Sequence, residues 1–106
     1  MNSIKERKMY FVILGTDKPG VRQQRLDTID EVATYVRDRP GHSGINYYCG
    51  GPTLDEEGNI TGTIIIIDAP SLEAAQAFMD DNPLQKMGLL DKVEIRQFDW
   101  KTGRPD

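Results

Sequence analysis

Four consecutive isoleucines, Ile64 to Ile67, constrain the fold of this chain more than any other feature. β-Branched side chains pack well on a pleated sheet and lose rotamer freedom in a helix, and Pro70 follows the run, so the segment is predicted to be a β-strand. Alternate residues of a strand point to opposite faces of the sheet. Isoleucines therefore lie on both faces of this strand, and both faces must be covered.

The rest of the chain alternates between strand and helix patterns. Aromatic and β-branched residues bounded by turn residues predict strands at 9–14, 45–52 and 92–100. Apolar residues at three- and four-residue spacing predict amphipathic helices at 21–38 and 71–80. The order is that of the α+β ferredoxin-like fold, βαββαβ. We expect a four-stranded antiparallel sheet with two helices on one face.

Length and charge limit the classes of protein to consider. Residues 9–100 carry the pattern of one domain, 1–8 form a charged lead-in, and 101–106 form a polar tail. A net charge of -4 provides no basic surface for nucleic acid, and no apolar run is long enough to span a membrane. We therefore expect a cytoplasmic protein that binds neither nucleic acid nor membrane.

The sequence also lacks the usual cofactor and metal motifs. Cys49 is the single cysteine and His42 the single histidine, which excludes an internal disulfide and argues against a metal site. Glycine-rich nucleotide-binding loops and the G-x-S-x-G nucleophile motif are missing. We expect no cofactor, and we expect Cys49 to be a small buried thiol.

The bare face of the predicted sheet indicates an interface. If both helices cover one face, the isoleucine strand exposes apolar side chains on the other. An apolar patch of about several hundred Å² commonly marks an interaction site. We expect a homodimer in which the two sheets stack face to face.

Several short segments occur in an order typical of a known family. They are 10–20, Arg25-Leu26, Gly50-Gly51-Pro52, the hairpin from Gly58 to Gly62, 71–75, Asn82-Pro83 and Gly88-Leu89. Through these segments, the chain from Met9 to Trp100 resembles the YciI-like family of the dimeric α+β barrel superfamily. The resemblance implies a dimer with a small-molecule pocket between helices and sheet. Relatives in the superfamily include muconolactone isomerase and dehydrochlorinases of chlorinated hydroquinones.

The sequence departs from this family at the family's proposed catalytic dyad. The resemblance implies a histidine in the first helix and an aspartate just before the proline that follows the second helix. Val32 stands at the histidine position and Asn82 at the aspartate position. Neither side chain can act as a base, although an amide can orient a ligand. The family's chemistry would have to use other groups here.

His42 and Asp81 are the candidate catalytic residues that could replace the dyad. His42 lies in a loop rich in Gly and Pro, and histidine can donate and accept a proton near neutral pH. The alternative is a histidine exposed on a surface loop. Asp80 and Asp81 end the second helix, and a shift of one residue would bring Asp81 to the pocket. The alternative is that both carboxylates are only solvated.

A further set of residues is predicted to bind the substrate. Arg25 shares a helix face with Val32 and can hold a carboxylate or phenolate oxygen, or it forms an ion pair with Asp27, Glu31 or a residue across the dimer. Tyr47 and Tyr48 point to opposite faces of their strand, so one of them faces the helices. The glycines before Pro52 leave room for a ligand, or they form a bulge. The predicted substrate-binding residues are Arg25, Tyr48, Gly51, Pro52 and Asn82.

Two functions fit these observations. The first is a YciI-like, cofactor-independent enzyme that carries out an acid–base elimination or isomerisation on a small cyclic or aromatic compound. The second is a non-catalytic ligand-binding or accessory dimer that has lost the family dyad.

Overall fold

The computed structural model describes residues 8–105, so the predicted lead-in lies outside the described residues except for Lys8. The chain forms one four-stranded antiparallel sheet with strand order β2-β3-β1-β4. This order confirms the predicted ferredoxin-like fold. The strands are β1 (Met9–Asp17), β2 (Asn46–Leu54), β3 (Ile60–Ala69) and β4 (Leu90–Phe98).

The helices confirm the predicted positions but differ in detail. The first predicted helix is two helices, α1 (Arg22–Asp27) and α2 (Ile29–Asp38). The second, α3 (Leu72–Asp80), begins at Ser71, whose hydroxyl accepts a hydrogen bond of 3.0 Å from the Ala74 amide. A short helix that the sequence did not predict follows, α4 (Pro83–Lys86).

Alternation along the isoleucine strand places the core on one face of the sheet. Ile65 and Ile67 are 2% and 0% exposed and pack with Phe11 of β1 and with Phe78 of α3. The helix-side core is therefore continuous from the central strands to the helices. Ile64 and Ile66 point to the other face, which we call the far face, and are only half-buried.

The central strands approach each other too closely for a side chain at Gly62. A Cβ atom there would overlap the carbonyl oxygen of Gly15 on the neighbouring strand. Gly50 is restricted in the same way, because its Cβ would overlap the carbonyl oxygen of Ile64. The adjacent Gly51 has open space around it. The register of β2 shifts between Tyr47 and Cys49, so the bulge lies at Tyr48, just before the two glycines.

Cys49 is exposed, so the expectation of a buried thiol is wrong. The register shift at this point of β2 explains the difference, because it interrupts the alternation from which burial was inferred.

Among residues 8–105, no helix is long and apolar enough to cross a membrane.

Candidate functional site

A cavity of about 580 Å³ lies between α2 and the strands β2 and β3, and we call it the helix–sheet cavity. This volume is in the range of small-molecule sites. Val32, at the position where the family histidine is expected, is part of the wall. The apolar walls are formed by Ile29, Val32, Ala33, Val36, Pro52 and Ile65.

The charged groups of the helix–sheet cavity are all basic. Arg25, Arg37 and Arg39 line it, and no Asp, Glu or His is found among the described lining residues. The cavity can therefore hold a ligand, but its described walls carry no imidazole or carboxylate to transfer a proton.

Arg25 is buried and already paired. Its Nε lies 3.2 Å from both carboxylate oxygens of Asp17, and its Nη2 donates a 2.8 Å hydrogen bond to the carbonyl oxygen of Gly62. Arg25 lines the cavity, but its ion-pair partner within the chain is Asp17 and not Asp27 or Glu31. The bond to Gly62 fixes the guanidinium against β3.

The tyrosine that lines the cavity is Tyr47. Burial, followed by the charge of Cys49, raises the pKa of its phenol, so Tyr47 keeps its proton and remains a hydrogen-bond donor. Tyr48, the predicted substrate-binding tyrosine, lies on the far face and does not line this cavity. The predicted Gly51 and Pro52 both line it, and the Gly51 carbonyl oxygen accepts a 3.4 Å hydrogen bond from the Thr63 hydroxyl.

Tyr48 belongs instead to an aromatic cluster on the far face. Its hydroxyl donates a 2.5 Å hydrogen bond to Asp68, a carboxylate only 5% exposed. Its ring packs edge-on against Tyr10 and Trp100, with centroids 5.8 and 5.2 Å apart. Burial, and then the hydrogen bond to Asp68, raise the pKa of Tyr48 far above its ordinary value.

Asn82 is fully buried and does not line the cavity. Its side-chain oxygen accepts a 2.9 Å hydrogen bond from the Leu84 amide, which caps the start of α4. Its Nδ2 is buried and has no hydrogen-bond partner among the described residues. The structure therefore places Asn82 apart from Arg25 and Gly51, with which it was expected to converge.

His42 and Asp81, the two predicted catalytic residues, are in direct contact. The Nε2 atom of His42 lies 2.7 Å from Oδ2 of Asp81. The His42 side chain is 11% exposed and that of Asp81 is 51% exposed, so the histidine is not an exposed loop side chain. The histidine lies behind the carboxylate, which is the member of the pair that meets solvent. Asp80 accepts instead a hydrogen bond from Gln76 of its own helix.

Two aromatic rings hold His42 in place. The imidazole packs edge-on against Phe78 and Tyr35, with centroids 5.7 and 6.4 Å apart. The Tyr35 hydroxyl donates a 2.6 Å hydrogen bond to the Phe78 carbonyl oxygen. Burial, and then the charge of Asp81, raise the pKa of Tyr35 far above its ordinary value. The contact between His42 and Asp81 therefore lies beside a tyrosine that stays protonated and whose hydroxyl is fixed by a hydrogen bond.

Asp81 lines an open groove of about 800 Å³, which we call the Asp81 groove. Tyr35, Pro83 and Lys86 also line it. Residues 30, 31, 34 and 35 of α2 face this groove, whereas residues 29, 32, 33 and 36 face the helix–sheet cavity. Asp81 and the predicted binding residues Arg25, Gly51 and Pro52 thus lie on opposite sides of α2 and do not form one site within the chain.

Thr63 and Arg39 line the cavity but escaped the sequence analysis as site residues, and so did Asp17, the ion-pair partner of Arg25. Asp17 ends a strand and Thr63 lies within one, and a polar residue at either position carries no distinct signal. Arg39 precedes Pro40 at the end of a helix, a position typical of a loop residue.

Within residues 8–105, no group of three or more His, Cys, Asp or Glu side chains is placed to hold a metal ion.

The fold and the cavity together define a ferredoxin-like α+β protein with space for a small molecule beside its sheet. The model of the YCII-related domain matches residues 9–99, and the chain belongs to this family. None of the curated proteins matches the sequence.

Solved structures support the same assignment. The chain is similar to 5-chloro-2-hydroxyhydroquinone dehydrochlorinase, TftG, from Burkholderia phenoliruptrix AC1100 in complex with 2,5-dihydroxybenzoquinone. The identity is 26% and the TM-score 0.72, over 86% of this chain and 94% of that chain.

Two more distant structures share the fold alone. At3g17210 from Arabidopsis thaliana is 16% identical with a TM-score of 0.53, over 92% of this chain and 99% of that one. A dimeric ferredoxin-like protein from Thermobifida fusca is 13% identical with a TM-score of 0.53, over 86% of this chain and 89% of that one.

Proposed function

We propose that this YCII-related protein is a cofactor-independent enzyme that moves a proton on a small cyclic or aromatic hydroxy compound, as a lyase or an isomerase. The observation that carries the proposal is the 2.7 Å contact between His42 and Asp81 at the wall of an open groove. Similarity to TftG, a dehydrochlorinase of a hydroxylated ring, supports the class of substrate.

The two members of the pair have different roles in this proposal. Asp81 is half-exposed and lines the groove, so its carboxylate is the base that meets the substrate. His42 is largely buried and holds that carboxylate through Nε2. Asp81 removes a proton from the substrate, and the electron pair left behind either expels a leaving group as an anion or shifts along the ring before the proton is returned.

The predicted binding residues lie in three different parts of the chain. Asn82 caps α4, the helix from which Pro83 and Lys86 line the Asp81 groove, so we keep it as a residue that shapes the groove. Arg25, Gly51 and Pro52 are assigned to a ligand in the helix–sheet cavity. Tyr48 is assigned to the far face, where it would lie at a dimer interface.

The proposal includes a homodimer in the cytoplasm, built through the far face. Ile64, Ile66, Val12 and Leu14 are half-buried on that face of the single chain. A second copy would bury the remaining apolar surface. Light scattering at micromolar concentration should give twice the 12.0 kDa chain mass, and a single monomeric species would contradict the dimer.

The direct test is turnover of a defined probe set by the full chain. 5-Chloro-2-hydroxyhydroquinone is followed by chloride release, and a panel of hydroxylated aromatics and lactones is followed by ultraviolet spectra. We expect turnover of at least one compound without added metal or cofactor. Turnover that persists in full after Asp81→Asn would contradict the assignment of the base.

A second candidate function is a non-catalytic ligand-binding or accessory dimer. It is favoured by one observation, the lack of carboxylate and imidazole among the described residues that line the helix–sheet cavity. Binding of a panel compound without turnover, abolished when Val32→Trp fills the cavity, would support this function over the enzyme.

A further inference from the structure

The charges around the helix–sheet cavity do not cancel. Arg25 is paired with Asp17, and Arg37 is paired with Asp38 at 2.9 Å. Arg39 forms no ion pair with any described residue, since its Nη1 donates only to the carbonyl oxygens of Val36 and Arg37, at 3.3 and 2.6 Å. One guanidinium charge at the cavity is therefore left without a carboxylate partner among residues 8–105.

Arg39 is held in place by the end of α2. It is the C-cap residue, with φ 47° and ψ 55°, and its backbone N–H donates a 2.7 Å hydrogen bond to the Tyr35 carbonyl oxygen. A non-glycine residue in this left-handed conformation is uncommon, and the helix cap stabilises it here. The start of the Arg39 side chain is thus fixed beside the cavity.

The Nε atom of Arg39 is an unused donor. It is buried, and no described residue accepts a hydrogen bond from it. A buried donor without a partner destabilises the structure, so the fold does not satisfy this guanidinium by itself. The position also matters electrostatically, because the carbonyl end of α2 would repel an anion unless a cation offsets it.

We propose that the helix–sheet cavity selects a small, mostly apolar molecule with one negative charge, such as a ring carboxylate. The guanidinium of Arg39 binds the anionic group of that molecule. One unpaired guanidinium matches one anionic group, and the apolar walls from Ile29 to Ile65 match a hydrocarbon ring. Arg25 is not the selecting residue, because Asp17 already neutralises it. The inference rests on the cavity being a ligand site, as proposed above.

The test uses benzoate and its neutral isostere benzamide as probes of the full chain, with titration followed by calorimetry or NMR. The wild-type protein should bind benzoate about tenfold tighter than benzamide, with a preference that weakens as salt is added. Arg39→Gln should remove the preference by weakening benzoate alone. Arg39→Lys, which keeps the charge, should retain part of it.

Two further variants make the test specific. Arg96→Gln removes an exposed guanidinium from β4 and should leave both affinities unchanged. Val32→Trp should abolish binding of both probes by filling the cavity. Equal affinity for benzoate and benzamide, or an unchanged preference in Arg39→Gln, would overturn the charge selection while leaving the cavity as a ligand site. Binding of neither probe, or binding that survives Val32→Trp, would overturn both the selection and the site.

Discussion

The imidazole of His42 and the carboxylate of Asp81 are 39 residues apart in sequence and 2.7 Å apart in the structure. The loop after α2 brings the histidine to the end of α3, and Phe78 on α3 supports its ring. This contact is the geometric basis of the proposed proton-transfer role of Asp81.

This contact predicts an energetic coupling between the two side chains. His42→Phe keeps a ring against Phe78 but removes the bond to Asp81, and Asp81→Asn removes the charge. Because Asp81 is half-exposed, we expect a coupling of about 0.5 to 1 kcal/mol in a double-mutant cycle of urea unfolding. Strictly additive effects would show that the contact does not stabilise the folded protein.

The raised pKa of Tyr48 predicts loss of stability at high pH. In the folded protein Tyr48 holds its proton above the ordinary value of 10.0, because of burial and then the hydrogen bond to Asp68. The stabilisation is complete below about pH 10 and is lost as the pH rises toward the folded pKa, since the unfolded chain ionises first. Urea unfolding at pH 8 and pH 11 should show the loss, and Tyr48→Phe should reduce the difference. An equal loss in the variant would contradict this assignment.

The two adjacent glycines of β2 should tolerate substitution differently. In Gly50→Ala the new methyl group would meet the Ile64 carbonyl oxygen, and we expect a loss of about 2 kcal/mol or more in the free energy of unfolding. Gly51→Ala is the matched control, because nothing lies within 4 Å of its Cβ position. Thermal and urea unfolding of both variants would measure the difference, and similar stabilities would contradict the strand register.

The buried ion pair of Arg25 predicts a large and partner-dependent effect. Arg25→Met leaves the Asp17 carboxylate, whose side chain is 8% exposed, without its counter-charge, and should cost about 3 kcal/mol of unfolding free energy. Adding Asp17→Asn should recover part of that loss. Arg22→Met, at an exposed position of the same helix, should change stability little. A loss in Arg25→Met no larger than in Arg22→Met would contradict the pairing.

The strand and helix pattern predicted the fold but not the break in its first helix. The alternating isoleucines predicted apolar side chains on both faces of β3, but not which face the helices cover. The spacing of Leu26, Ile29 and Val32 continues without interruption, yet Thr28 ends α1, and its hydroxyl donates a 2.9 Å hydrogen bond to the Arg25 carbonyl oxygen. Leu26 is 46% exposed, although the spacing placed it on the inner face, whereas Ile29, 41% exposed, faces the helix–sheet cavity.

The sequence suggested candidate site residues but could not show how they are arranged. The bulge in β2 decides that Tyr47 and not Tyr48 faces the cavity, and alternation alone could not choose between them. The contact of His42 with Asp81 depends on the path of a loop, for which the sequence carries no periodic signal. Among the described residues, Arg39 has no carboxylate partner because Asp17 and Asp38 pair with Arg25 and Arg37. Sequence spacing alone does not show which arginine each aspartate contacts.

The central claim is that Asp81 is the group that handles the proton. The measurement is kcat/KM on the best substrate of the hydroxylated-ring panel for Asp81→Asn, with Asp80→Asn as the adjacent carboxylate that does not contact His42. We predict a loss of about a hundredfold or more for Asp81→Asn and little change for Asp80→Asn. Equal activity of the two variants would contradict the claim, whether both retain the wild-type rate or both lose it.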